Sequence, residues 1–201
     1  GIKCLSEFKE PTSIIVKHNN PCGVASSKNI TIAFEKSYEC DSKSAYGGIL
    51  LLNRKINKKL ANIISNYFFE IIVAPDFEKI ALDILSLRKK LIILKIGKIK
   101  FPNKESRSTL FGEIYQDLNK SKIDRTSLKL ITNKKTSNKN LNDLIFSIKV
   151  VKHLKSNSIV LCNNSQTVGL SGGQTNRIDS LNIALKRYKL KFKGKKIVCA
   201  S

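Results

Sequence analysis

Short β-branched runs alternate along this chain with longer stretches in which apolar residues recur every three or four positions. The runs are 13–17 (SIIVK), 47–53 (GGILLLN), 70–75 (EIIVAP), 91–97 (LIILKIG), 158–162 (SIVLC) and 166–171 (QTVGLS). Continuous apolar runs of this length, bounded by turn-forming residues, predict strands covered on both faces. The intervening periods predict helices. Ile30, Ala33, Phe34, Ser37 and Tyr38 share one helical face, and Leu60, Ile63, Ile64 and Tyr67 mark a second. Residues 77–90 (FEKIALDILSLRKK) form a third helix with basic residues in its last turn, and 141–155 a fourth. A fifth runs over 176–188, with Ile178, Leu181, Ala184 and Leu185 inward. Strands alternating with helices imply a layered α/β fold with a largely parallel sheet.

The periodicity weakens between about residues 98 and 140, where only 110–116 (LFGEIYQ) and 128–132 (LKLIT) read as short strands. This stretch predicts a boundary, with a first α/β subdomain over 1–135 and the start of a second over 136–201. The run 196–201 (KIVCAS) would then be an edge or unpaired strand. There is no sequence repeat. The absence of an initiator Met and the stop after an apolar run suggest an internal piece of a longer polypeptide.

The formal net charge of +22 raises the alternative of a basic nucleic-acid-binding module. Only six of the 37 basic residues are arginine, and Lys, Asn and Ile abound together. All three are spelled by A/T-rich codons, so biased coding accounts for the charge. The lysines are scattered rather than interleaved with aromatics, which argues against nucleic acid as partner. No apolar run approaches the roughly 18 residues of a membrane span, and the first residues are no signal peptide. These features predict a cytoplasmic protein without a membrane partner. Five cysteines without CxxC spacing, and only His18 and His153 as histidines, predict reduced thiols and no metal site.

Residues 170–174 spell LSGGQ, the signature of ATP-binding-cassette ATPases. Such an ATPase needs a phosphate-cradling G-x-x-x-x-G-K-[ST] loop. Of the Gly-Lys pairs, Gly97-Lys98 and Gly194-Lys195 have Ile92 and Lys189 where the first glycine belongs. ATP hydrolysis is excluded on that ground. In 16–25 (VKHNNPCGVA) a strand ends at Lys17 and His18. Ligands of open α/β sheets bind beyond the carboxyl ends of strands. A fixed cation beside a group titrating near neutrality suits proton transfer at an amine. The Pro-Cys there also occurs in zinc deaminases, but residue 25 is Ala where a second cysteine is required, and no H-x-E is present. Residues 41–53 place Gly47 and Gly48 at the mouth of a buried strand, and Asn157 lies at a helix-to-strand junction.

Five stretches, VKHNNPCGVA, DSKSAYGGILLLNR, EIIVAPDFEKIALDIL, DLIFSIKVVKHLKSNSIV and TVGLSGGQTNRIDS, resemble AICAR transformylase in their order. That family is the formyltransferase part of a bifunctional purine-biosynthesis protein that also carries IMP cyclohydrolase. The resemblance spans nearly the whole chain and is weakest over 98–140. It implies an α/β/α fold of cytidine-deaminase-like subdomains without zinc. It implies formyl transfer from 10-formyltetrahydrofolate to the 5-amino group of AICAR ribonucleotide, in a homodimer. By the same resemblance, Lys17, His18 and Asn157 match catalytic positions. Tyr46, Gly47, Glu70, Gly172, Gly173 and Arg177 match substrate-binding positions, with the two glycines turning backbone N–H groups toward an anion. His153, by contrast, reads as structural. The family's later segments, DAFFPF and RHF, do not occur here, so the resemblance implies that residues 1–201 alone are inactive.

Overall fold

The computed structural model describes residues 1–201. In chain order, the first half consists of α1 (Ile2–Leu5), β1 (Thr12–Lys17), β2 (Asn20–Ser26), α2 (Ile30–Cys40), α3 (Ser42–Ala45) and β3 (Gly48–Leu52). Next come α4 (Lys58–Ile64), β4 (Phe69–Ala74), α5 (Lys79–Ser86), β5 (Ile92–Lys95), β6 (Lys104–Thr109) and β7 (Gly112–Asp117). The chain then forms α6 (Asn138–Val151), β8 (Ile159–Asn163), β9 (Gln166–Ser171), α7 (Arg177–Lys191) and β10 (Val198–Ala200). Side chains of Asn29, Asn57, Ser137 and Asn176 accept first-turn N–H groups, which fixes where α2, α4, α6 and α7 begin. No helix is long and apolar enough to cross a membrane.

Eight strands form one sheet in the order β10-β8-β9-β2-β1-β3-β4-β5. Alternate residues feed opposite faces. Ile15, Leu50, Leu52 and Ile72 pack beneath α2, α4 and α5, with Phe34, Leu60 and Leu85 from those helices. Ile14, Leu51, Val73 and Val160 pack on the other face with Phe8, Phe146 and Val150. The carboxyl end of α7 is tied to that of α2 by Lys191 Nζ, which donates to the carbonyl of Glu39 at 3.3 Å. The α/β/α layering therefore stands as read.

The sheet itself corrects the sequence reading, because it is mixed rather than largely parallel. Only the β3–β4 and β4–β5 pairings are parallel, and the other five are antiparallel. The cause is a pair of two-residue hairpins. His18 and Asn19 (φ 48° and 62°) join β1 to β2, and Asn164 and Ser165 (φ 51° and 52°) join β8 to β9. What reads as a turn-rich loop after His18 is thus largely strand β2.

These hairpins belong to two similar units, α1–β1–β2–α2 and α6–β8–β9–α7. A glycine in each second strand lets the following helix approach closely. A Cβ at Gly23 would sit 1.9 Å from the Ser37 carbonyl oxygen, and one at Gly169 would sit 2.3 Å from that of Ala184. The units meet where β2 pairs with β9 through a single residue pair, Ala25 with Gln166. There the Thr167 hydroxyl accepts from Val24 N–H at 2.9 Å and donates to Val24 O at 3.1 Å. The strands on either side of the boundary expected near residue 135 therefore share one sheet, and they also share a core.

Three local readings change. The stretch 128–132 forms no strand, and the weak region instead builds a separate β6–β7 hairpin. Helix α5 stops at Ser86, so its basic residues lie beyond it. Arg88 there donates to the carbonyls of Tyr67, at 2.6 Å, and Ser65, closing the end of α4. Ile178 faces solvent at 66 % exposure, and Ser180 takes the buried position in the first turn of α7.

A polar cleft as candidate functional site

Lys17 is the last residue of β1, and its Nζ reaches across to the start of β3. It donates to the carbonyl oxygens of Tyr46 at 3.0 Å and Gly47 at 2.8 Å. Those carbonyls are presented by a sharp turn in which Gly47 has φ +64° and donates its N–H to Phe68 O at 2.8 Å. A Cβ at Gly47 would lie 3.0 Å from Lys17 Nζ and 3.4 Å from Glu70 Oε1. Glycine here permits both the backbone conformation and the close approach of an ammonium and a carboxylate. The Tyr46 ring lies 4.9 Å from that of Phe68, centroid to centroid, and is 67 % exposed. Together they make an aromatic ledge beside the charges.

His18 follows in the left-handed turn, with its side chain in solvent. Lys17 and His18 both line a cleft of about 340 Å³ whose other walls include Asn20, Cys22, Gly172 and Arg187. Burial pushes the Cys22 thiol up to about 12, with Cys40 and Asp41 adding to the effect, so this wall carries a neutral thiol. No group of three or more His, Cys, Asp or Glu side chains is gathered to hold a metal ion.

Asn157 sits behind the glycine-rich loop rather than on the cleft wall. Its N–H and side-chain amide both donate to Gln174 O, at 3.0 and 3.3 Å, and the amide also reaches Thr175 O at 3.1 Å. Gly173 has φ +73°, as the tight turn requires. Its N–H, however, donates to Lys155 O at 2.7 Å, and Gln174 N–H donates to Asn157 O at 3.3 Å. The cradle of N–H groups expected around Gly172 and Gly173 is thus partly used to hold the loop. Arg177 is the first residue of α7, exposed and without an ion pair, and lies outside the cleft lining. Glu70, Tyr46 and Gly47 gather around Lys17, whereas Asn157, Gly173 and Arg177 gather at the loop.

The site lies at the carboxyl end of β1 but at the amino ends of β3 and β4. The rule of carboxyl-end binding therefore locates it only through the antiparallel strand. Beyond the carboxyl ends of β3 and β4 lies a different opening of about 390 Å³, lined by apolar residues such as Leu52, Pro75, Ile96 and Phe101. His153 is elsewhere, just past α6. Its Nε2 lies 3.1 Å from Glu7 Oε1, which also accepts from Lys152 Nζ at 2.8 Å.

Sequence reasoning missed Arg187 and its partner Asp41, whose charged atoms are 3.1 Å apart. Asp41 stands at the head of a motif singled out for its glycines. The basic character of Arg187 was one signal among many on a lysine-rich helix.

The family described as the AICARFT/IMPCHase bienzyme matches residues 1–187. A protein of Caldicellulosiruptor bescii named bifunctional purine biosynthesis protein PurH is 42 % identical over 196 residues, covering 96 % of this chain and 38 % of its own length. The like-named protein of Bacillus subtilis is 39 % identical, and that of Persephonella marina 41 %, covering 96 % and 93 % of this chain. The chain thus spans well under half the length of these relatives.

Proposed function

The chain belongs to the AICARFT/IMPCHase bienzyme family, and from that premise we propose that its site serves formyl transfer in purine (IMP) biosynthesis. The donor is 10-formyltetrahydrofolate and the acceptor is the 5-amino group of AICAR ribonucleotide. The observation that carries the reading is the Lys17 ammonium. Two of its three donors are taken by the Tyr46 and Gly47 carbonyls, which leaves one to present to a substrate.

The AICAR amine is a poor nucleophile, because its lone pair is delocalised into the imidazole and carboxamide. As it attacks the formyl carbon, His18 takes the proton that the nitrogen loses. The free Lys17 donor stabilises the oxyanion of the tetrahedral intermediate. The bond from carbon to the folate nitrogen then breaks, and the proton taken up by His18 is returned to that nitrogen as it leaves. The ledge of Tyr46 and Phe68 offers a face to a flat heterocycle, and Glu70 an acceptor for its donors. Arg177 holds the phosphate or carboxamide end. Asn157 holds the end of the glycine-rich loop through the Gln174 and Thr175 carbonyls, and its part in catalysis is to keep that loop in place.

The complete protein is proposed to work as a cytoplasmic homodimer, with IMP cyclohydrolase activity outside these residues. The test is a stopped assay of the complete protein with both substrates, following tetrahydrofolate release. Turnover without ATP is expected, and residues 1–201 alone should show none. Absence of formyl transfer by the complete protein, or a requirement for ATP, overturns the reading.

A further inference from the structure

We infer that Arg187 and Asp41 form a positioning strut that couples the glycine-rich loop to the ammonium of Lys17. The inference rests on the proposed reading only for the chemical role of Lys17.

Lys17 Nζ is placed by two carbonyls, those of Tyr46 and Gly47. These emerge from α3, a helix of four residues. One turn has no stability of its own, so its orientation depends on its cap and its surroundings. The cap is Asp41. Its Oδ1 accepts from Ser44 N–H at 3.0 Å and its Oδ2 from the Ser44 hydroxyl at 2.7 Å. The remaining partner of that carboxylate is Arg187, 3.1 Å from Oδ2.

The other side of the guanidinium faces the opposite wall. Nη1 donates to the carbonyl of Leu170 at 2.6 Å, on β9 just before Gly172. One planar fork therefore grips the strand that feeds the glycine-rich loop and the carboxylate that caps α3. Arg187 itself lines the cleft between them. A lysine at 187 would carry the charge on a single flexible nitrogen, without the rigid fork whose two nitrogens reach two partners at once. A shift of Asp41 would pass through α3 to the two carbonyls and from them to Lys17. Arg187 touches no reacting atom by this account and acts by setting where Lys17 stands.

The test is competitive acetylation of lysines in the complete protein, read by mass spectrometry, in wild type, Arg187→Gln, Arg187→Lys and Asp41→Asn. Asparagine is a good N-cap, so Asp41→Asn keeps α3 started while removing the ion pair. Lys95, paired with Asp76 at 2.7 Å near the far end of the sheet, is the internal reference. Lys17 labelling is expected to rise several-fold in Arg187→Gln and Asp41→Asn, with Lys95 unchanged and partial recovery in Arg187→Lys. Formyl transfer should fall about tenfold in kcat, since small misplacements of an acting group are costly. Unchanged Lys17 labelling in both variants overturns the strut. So does a parallel rise at Lys95, which would mean general loosening. The labelling needs no activity, so a complete protein that transfers no formyl group would sink the proposed function and still test the strut.

Discussion

The two hairpin turns use the same backbone device and differ in what surrounds them. Both place two consecutive non-glycine residues in the left-handed region, where side chains cost energy. At Asn164 and Ser165 the cost is offset locally. The buried carboxylate of Asp143, on α6, accepts both N–H groups, at 2.9 and 2.7 Å. Ser165 O also accepts from Ser26 N–H at 2.9 Å. At His18 and Asn19 there is no such lock. The only side-chain bond to that turn is from Asn20 Nδ2 to His18 O, at 3.3 Å. A strained turn is therefore not a mark of function by itself. The locked one joins two strands of the scaffold, and the open one exposes His18, the residue proposed to act as base.

The largest effect expected from this contrast is on stability. Asp143→Ala leaves two backbone donors without an acceptor and should cost about 4 kcal/mol, read as a lowered urea midpoint. Near-wild-type stability in that variant would erase the difference between the turns. At the open turn, His18→Ala should do the reverse. In the complete protein it should lower kcat by about 10²-fold or more, with AICAR affinity and urea midpoint little changed. Full turnover would remove His18 from the mechanism.

Arg177→Lys comes next, replacing a planar fork with a point charge. It should weaken AICAR ribonucleotide binding about tenfold, or ~1.4 kcal/mol, and leave folate affinity alone. Titration calorimetry with each ligand separates the two, and equal AICAR affinity would break the assignment.

The smallest effect concerns the other histidine. Burial alone would raise the Glu7 carboxyl, but hydrogen bonds from His153 and Lys152 outweigh it and the net shift is downward. A carboxyl lowered in the folded state stabilises the protein above its unfolded pKa, about 4.3, and loses that contribution as pH falls through the folded value. Glu7→Gln should therefore cost about 1 kcal/mol at neutral pH. The gap to wild type should close in thermal melts as pH falls through the lowered folded value of Glu7. A gap that persists there would mean that the contact is not ionic.

Much of the architecture is legible in sequence because buried strands and amphipathic helices announce themselves by period. The runs at 47–53, 70–75 and 158–162 all become strands where expected. The hairpins are not legible, because His-Asn and Asn-Ser lack the glycine that usually signals a left-handed turn. Strand β2 is also disguised by Pro21, which the ladder tolerates because it pairs with Val16 where the register shifts. At the site, Lys17, His18 and Gly47 could be named from motifs and family resemblance. The Asp41–Arg187 pair joins residues distant in sequence, and no local spacing encodes it.

The join between β2 and β9 has a consequence for how the molecule opens. Neighbouring strands elsewhere in the sheet share several residue pairs, but here one pair and the Thr167 hydroxyl do the work of a ladder. Amide exchange in the central strands should therefore be fastest along this line, although the core beneath it is continuous. Thr167→Val keeps the shape and removes the stitch. It should speed exchange at Val24 and the neighbouring central amides well before it touches those buried beneath α4.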